Sequence, residues 1–169
     1  MIRVRRAEPG DAGELVALAE AVGGEEGRWM LASERWRSVA DERRYLKACR
    51  RHPGAAVFVA EDDGRVVARL SLARDPHPAS PHVADLGLMV AEGHRRRGVG
   101  TRLLEEAVVW ARSAGVSKLE LHVFPWNAPA LGLYESFGFV REGYRMRHYA
   151  RGGELVDAIL MAYAVPTPG

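Results

Sequence analysis

The sequence predicts one α+β domain spanning residues 1–169, built on a mixed β-sheet with helices packed against it. Three observations predict this. Period-two and helical apolar patterns alternate along the chain in the order β-α-α-β-β-β-α-β-α-β-β. The central β-α-β stretch needs a crossover between parallel strands, whereas the outer strands follow one another through short turns. The length, 169 residues, is that of one domain able to bury a proper core.

Each element has its own signal. Residues 2–6 alternate apolar and basic side chains, as a short strand does. Glu8-Pro9-Gly10-Asp11 opens a helix in which Leu15, Leu18, Ala19 and Val22 form one apolar face, and Gly23-Gly24 stops it. After the acidic loop Glu25-Glu26-Gly27, a second helix is expected over about residues 31–51, with Trp36, Val39, Ala40 and Leu46 inward and His52-Pro53-Gly54 as its end. Residues 55–60 and 66–73 read as strands joined by the hairpin turn Asp62-Asp63-Gly64. Pro76, Pro78 and Pro81 mark a loop. Residues 83–90 form a mostly apolar run bounded by turn signals, hence a central strand. Residues 98–114 give the clearest helix, with Val99, Leu103, Leu104, Ala107, Val108 and Ala111 as its buried stripe and Gly115 as its stop. A strand over 118–124, a short helix over 128–137 ended by Gly138, and two strands over 139–150 and 155–164 joined at Arg151-Gly152-Gly153-Glu154 complete the chain.

Composition narrows the function. Hydrophobic residues make up 47% and charged residues 27%, an ordinary globular balance. The net charge is +2, from 24 basic and 22 acidic side chains, so any anion site must be local, and binding to nucleic acid or a charged membrane surface is disfavoured. The lone Cys49 cannot form an internal disulfide, which fits a reducing compartment. No apolar run approaches a membrane span and no signal-peptide core follows the basic N-terminus, so a soluble, cytoplasmic protein is expected. His77 and His82 lack metal-ligand spacing, and no metal is expected. Cys49 reads as structural, and Trp29, Trp36, Trp110 and Trp126 as packing residues, of which Trp126, beside Asn127, is the one to test for a ligand contact.

The most informative unit is a strand, a basic glycine-containing turn and a helix. In Arg95-Arg96-Arg97-Gly98-Val99-Gly100 the backbone amides and the positive end of a helix dipole converge on one place. Gly98 and Gly100 allow close approach to the backbone, and three arginines add fork-shaped donors. Such a turn suits a pyrophosphate. It is not a Walker A loop, which ends in Gly-Lys-Ser/Thr, and it lacks the three glycines of a dinucleotide fingerprint. By itself the turn also fits a plain helix start with a solvated basic face.

The same turn resembles the Gln/Arg-x-x-Gly-x-Gly/Ala signature of the GNAT acetyltransferase superfamily. The preceding strand Leu86-Gly87-Leu88-Met89-Val90, Asn127 after the next strand, the segment Leu133-Tyr134-Glu135-Ser136-Phe137-Gly138-Phe139 and the opening Ile2 to Asp11 match as well, so the resemblance covers essentially the whole chain. It implies the three-layer GNAT fold, with the strand over 83–90 splayed from the strand over 118–124 and an acyl-CoA, acetyl-CoA above all, as cosubstrate. By that resemblance, backbone groups of Leu88 and Val90 pair with the pantetheine arm. Amides from Arg95 to Thr101 (Arg96, Arg97, Gly98, Val99 and Gly100 between them) hold the pyrophosphate, and Asn127 contacts the pantetheine region. An amide near Met89 and Val90 serves the oxyanion. Tyr134 matches the position whose hydroxyl protonates the departing thiolate, a sensible task for a phenol beside a sulfur anion. Its other reading is an aromatic packed against the sheet.

The acceptor half is less defined. Asp85, Glu120 and His122 are the titratable candidates for a general base, Asp85 sharing a strand face with Gly87 and Met89, and Glu120 with His122. Each also reads as a solvated or ion-paired strand residue, and some family members use water chains instead. Glu25 and Glu26 lie in the loop that borders the acceptor pocket in GNAT folds, where they attract a cationic amine or simply face solvent. The resemblance reaches the branch of amino-acid and phosphinothricin-type acetyltransferases, and so implies N-acetylation of a small-molecule primary amine in a ternary complex. Homodimers are common in the family. The alternatives are acetylation of a protein lysine or N-terminus, and a non-catalytic acyl-CoA-binding regulatory module.

Overall fold

A computed structural model describes residues 1–30 and 36–168. Seven strands form one mixed sheet: β1 (Ile2–Arg6), β2 (Ala55–Asp62), β3 (Arg65–Arg74), β4 (Val83–Val90), β5 (Lys118–Val123), β6 (Val140–Arg151) and β7 (Glu154–Ala164). Their spatial order is β1-β2-β3-β4-β5-β7-β6. Only β4 and β5 run parallel, as their helical connection requires; the other neighbours are antiparallel. Four helices, α1 (Ala12–Gly23), α2 (Val39–Arg51), α3 (Val99–Ala114) and α4 (Ala128–Phe137), cover the two faces.

The strands' period-two alternation sorts the core into two layers. Leu70, Leu72 and Leu86 face α3 and α4, where Leu103, Leu104, Ala107 and Leu131 meet them. On the opposite face Val57, Val59 and Met89 pack against Leu15, Leu18, Leu46 and Cys49 of α1 and α2. The six residues expected to form the buried stripe of α3 are all buried. Among the described residues no helix is long and apolar enough to cross a membrane.

One element differs from its expectation. The second helix starts at Val39, not near residue 31; residues 31–35 lie outside the described part of the chain. Ser38 adopts an extended conformation and its hydroxyl accepts the Asp41 N–H at 3.2 Å, the ordinary chemistry of a helix N-cap. Trp36 and Arg37 precede the helix, and Val39 and Ala40, expected inside, face outward, Val39 with 40% exposure. Leu46 is buried as expected, and Glu42 and Cys49 complete the buried stripe. A carboxylate occupies an inward position that apolar periodicity alone assigns elsewhere.

Candidate acyl-transfer cleft

β4 and β5 pair for only three residues each, Val83–Asp85 against Lys118–Glu120, and then diverge. The gap opens into a cleft of about 800 Å³, lined by the second half of β4, the turn after it, the first turns of α3 and α4, and His122 and Val123 of β5. The register of β4 fixes what faces the gap. Ala91 N–H donates to Val67 O, and Val83 O accepts the Asp75 N–H. Both polar groups of a residue in an antiparallel strand point the same way and alternate along it, so odd-numbered positions bond toward β3. The Leu86 N–H still belongs to the last paired step with β5, and the backbone groups of Leu88 and Val90 turn into the gap.

The turn after β4 is built for exposed amides. Arg96 has φ 58° and Gly98 φ 78°, left-handed conformations that fold successive N–H groups into a concavity. Val99, Gly100 and Thr101 are the first residues of α3, and their amides have no carbonyl one turn earlier in the helix. At Gly98 the backbone angle favours glycine. At Gly100 a Cβ would come within 2.7 Å of Leu133 Cδ2, so this glycine sets the close approach of α3 to α4.

The three arginines of the turn have different surroundings. Arg95 donates from Nη1 and Nη2 to the two Glu25 oxygens, both at 2.7 Å, and from Nε to Val90 O at 3.0 Å. Arg95 in turn holds the Glu25 carboxyl below the usual carboxylate range. Arg97 turns toward the β2–β3 hairpin, 3.9 Å from Asp62, which also meets His94 at 3.1 Å. Arg95 and Arg96 line the cleft, and Arg97 does not.

Across the gap, Tyr134 in α4 is buried against Phe139 and lines the cleft. Burial raises its phenol above the ordinary value, so the hydroxyl keeps its proton at neutral pH. Asn127 lines the cleft and also caps α4, its Oδ1 accepting the Ala130 N–H at 3.2 Å. Trp126 stacks on Phe124 at 4.4 Å and donates to Gly27 O at 2.8 Å. The α1–α2 loop is thus tied to the end of β4 through Glu25 and to the end of β5 through Gly27.

The sheet face toward α1 and α2 carries the titratable groups. His122 lines the cleft; burial, then Arg145 and His148, lower its pKa and favour the neutral imidazole. Its Nδ1 lies 2.5 Å from the Tyr149 hydroxyl. Asp85 and Glu120 are register partners at the last paired step of β4 and β5. Burial in the concave sheet face, then Glu120 and Asp75, push Asp85 up to about 6, although its side chain keeps contact with solvent. Asp85, Glu120, Glu25 and Glu26 stand outside the cleft lining, Glu26 fully on the surface. Arg69, Ser71 and Trp36 line it and were not singled out from the sequence for this role. The available signal was Arg69 and Ser71 at alternate positions of the otherwise apolar run from Val66 to Leu72. Among the described residues no cluster of His, Cys, Asp and Glu could hold a metal ion.

This architecture has close counterparts. The L-amino acid N-acetyltransferase AaaT of Escherichia coli is 40% identical over 114 residues, 65% of this chain and 68% of the relative. A GNAT-family acetyltransferase of Streptococcus pneumoniae superposes with a TM-score of 0.87 at 27% identity, covering 98% of this chain and all of that one. A GNAT phosphinothricin acetyltransferase of Sinorhizobium meliloti in complex with AcCoA shares the fold, with a TM-score of 0.85 at 17% identity over 99% and 93% of the two chains. The profile of the acetyltransferase (GNAT) family matches residues 24–139. The splayed strands, the glycine turn at the head of α3 and these similarities lead to one conclusion: the chain belongs to the GNAT family of acetyltransferases.

Proposed function

We propose that the protein transfers an acetyl group from acetyl-CoA to the primary amine of a small molecule such as an amino acid, by direct attack within a ternary complex. The observation that carries this reading is the unzipped edge of β4, whose even-numbered backbone groups face a gap that ends at the amides of the Arg96–Thr101 turn. Such a slot offers strand-like pairing to an amide-bearing arm and an anion site at its end. These are the two recognition elements that pantetheine and pyrophosphate demand, so the residues present fit the cosubstrate. Acetyl-CoA supplies the activated thioester.

The chain's own groups then have distinct tasks. The backbone N–H and C=O of Leu88 hold the arm, and the Val90 N–H, which faces the gap while that of Met89 pairs with β3, meets the carbonyl oxygen as it gains charge. Amides of Arg96 to Thr101, with the Arg96 guanidinium, bind the pyrophosphate, while Arg95 braces the turn against Glu25. Asn127 fixes the start of α4, and with it the placement of Tyr134. A nitrogen–carbon bond forms and the carbon–sulfur bond breaks. The acceptor ammonium gives up one proton to a base or to solvent before attack; Tyr134 then delivers its proton to sulfur, and the second proton lost by nitrogen restores the phenol through solvent. His122, neutral and in the cleft, and Asp85, reached through water, are the two groups suited to take the first proton. Trp29, Met30 and Trp36 enclose the acceptor side, which suits a small amine better than an extended polypeptide.

The test is a screen of small amines and amino acids against acetyl-CoA with a free-thiol readout, paired with thermal melts. Acetyl-CoA is expected to raise the melting temperature by preferential binding to the folded state, and thiol release to depend on the amine. No stabilisation at millimolar acetyl-CoA would remove the reading.

A further inference from the structure

On the face toward α1 and α2 lies a buried charged cluster that the transfer chemistry above leaves without a task. Arg69 stands mid-strand in β3 with 4% exposure, opposite Met89 of β4. Glu42 of α2 is fully buried; its Oε2 accepts from Arg37 Nη1 at 2.5 Å and from Trp36 Nε1 at 3.2 Å, and its Oε1 lies 3.7 Å from Arg69 Nη2. Arg37 and Arg69 share the one Glu42 carboxylate, so among the described residues of this cluster one positive charge is in excess. The ring of Trp36 lies 5.1 Å from the Arg69 guanidinium carbon and that of Tyr45 5.7 Å, fixing the guanidinium in a low-dielectric setting. Arg69 Nε and Glu42 Oε1 both lack a hydrogen-bond partner among the described residues, the 3.7 Å between Glu42 and Arg69 being too long for one. A buried charged donor left unmatched is costly, and an external acceptor is the usual resolution.

The position of this charge relative to the reacting centre is informative. Arg69 and Ser71 both line the cleft beside Met89 and Gly87, their register partners on β4. A Cβ at Gly87 would lie 3.1 Å from Ser71 Oγ, so the absence of a side chain leaves room on the cleft floor beside that hydroxyl. Adjacent strands lie about 5 Å apart, so an amine attacking beside Met89 has the guanidinium within reach of a substituent on its own α-carbon.

We propose that Arg69, with the Ser71 hydroxyl beside it, binds the carboxylate of the acceptor, and that the substrate class is therefore amines carrying an adjacent carboxylate, α-amino acids and their close analogues. This inference rests on the acetyl-transfer reading for the identity of the amine. A planar guanidinium matches a carboxylate through two parallel N–H donors, a geometry a neutral amide cannot reciprocate. Peptide N-termini and decarboxylated amines leave the excess charge unmatched.

The test compares, at saturating acetyl-CoA, the best L-amino acid of a panel with its carboxamide and its decarboxylated amine. The wild type is expected to favour the acid by roughly 10- to 100-fold in kcat/KM, the value of a charged hydrogen-bonded contact. Arg69→Gln should erase that preference through KM, with the affinity for acetyl-CoA unchanged. The variant should fold, because Glu42 keeps Arg37; if it does not, Arg69→Lys, which keeps the charge and loses the fork, should reduce the preference several-fold. Equal use of acid and amide by the wild type, or an undiminished preference in the variant, would overturn the proposal. Intrinsic tryptophan fluorescence, with Trp29 and Trp36 both lining the cleft, separates it from the transfer reading. If no amine releases thiol, yet N-acetyl amino acids bind saturably with CoA present and lose affinity in Arg69→Gln, the carboxylate site stands and the transfer reading falls. No binding of either kind removes the carboxylate site.

Discussion

The two sides of β4 offer opposite means of recognition. Toward the gap with β5 the strand presents backbone: the amide and carbonyl of Leu88 and the amide of Val90, continued by the amides of the turn and of the first residues of α3. Toward α1 and α2 it presents side chains, beside Arg69, Ser71 and His122 of its neighbours. Backbone recognition tolerates most substitutions provided the conformation survives. Side-chain recognition changes with a single residue. A donor molecule common to a whole family suits the first, and an acceptor that differs among members suits the second.

The largest expected effect tests the donor side at its one chemical side chain. Tyr134→Phe should lower kcat by on the order of 10²- to 10³-fold, as loss of a general acid does, and leave acetyl-CoA binding within about twofold by titration. Unchanged turnover would return Tyr134 to a packing role. Next comes the claim that the donor side depends on conformation: Gly98→Val places a β-branched residue at φ 78°, at a cost of roughly 1–3 kcal/mol. Acetyl-CoA affinity should fall about tenfold, with little change in acceptor preference; an unaltered Kd would break the backbone argument.

The smallest effect tests the acceptor face. If Asp85 takes the amine proton, kcat/KM rises with pH through about 6 and the limb disappears in Asp85→Asn. Stability supplies a separate check. The folded carboxyl is raised above its unfolded value near 4, so the folded state holds the proton more tightly, and stability falls as pH rises from about 4 to about 6. Asparagine removes that loss. Asp85→Asn should therefore melt a few degrees above the wild type at pH 7.5 and alongside it at pH 4, by calorimetry at both pH values.

Legibility in the sequence follows the same division. The strand, turn and helix from Leu86 to Thr101 are contiguous, and their period-two run, positive-φ glycine and helix start are local signals. The Val83–Val90 and Ala128–Phe137 elements matched their expected bounds for that reason. The acceptor face is assembled from residues such as Trp36, Glu42, Arg69 and His122, which no local pattern connects. The Arg95–Glu25 bond joins residues 70 positions apart, and three consecutive arginines that look alike in sequence diverge in space only because of such partners. The start of α2 carries a local signal too: Ser38 followed by Asp41 and Glu42 is a capping sequence.

The α1–α2 loop has a mechanical consequence. Two parallel strands that part after three residues carry unsatisfied edges that favour zipping together. Here Glu25 grips Arg95 at the tip of one strand and Gly27 accepts from Trp126 beyond the tip of the other, so the loop works as a spreader bar between them. A wedge braced at both tips is pre-organised, so ordering it adds little to the cost of each binding event. Association of the cosubstrate should then be a single kinetic phase, linear in ligand concentration, with no slow opening step before it.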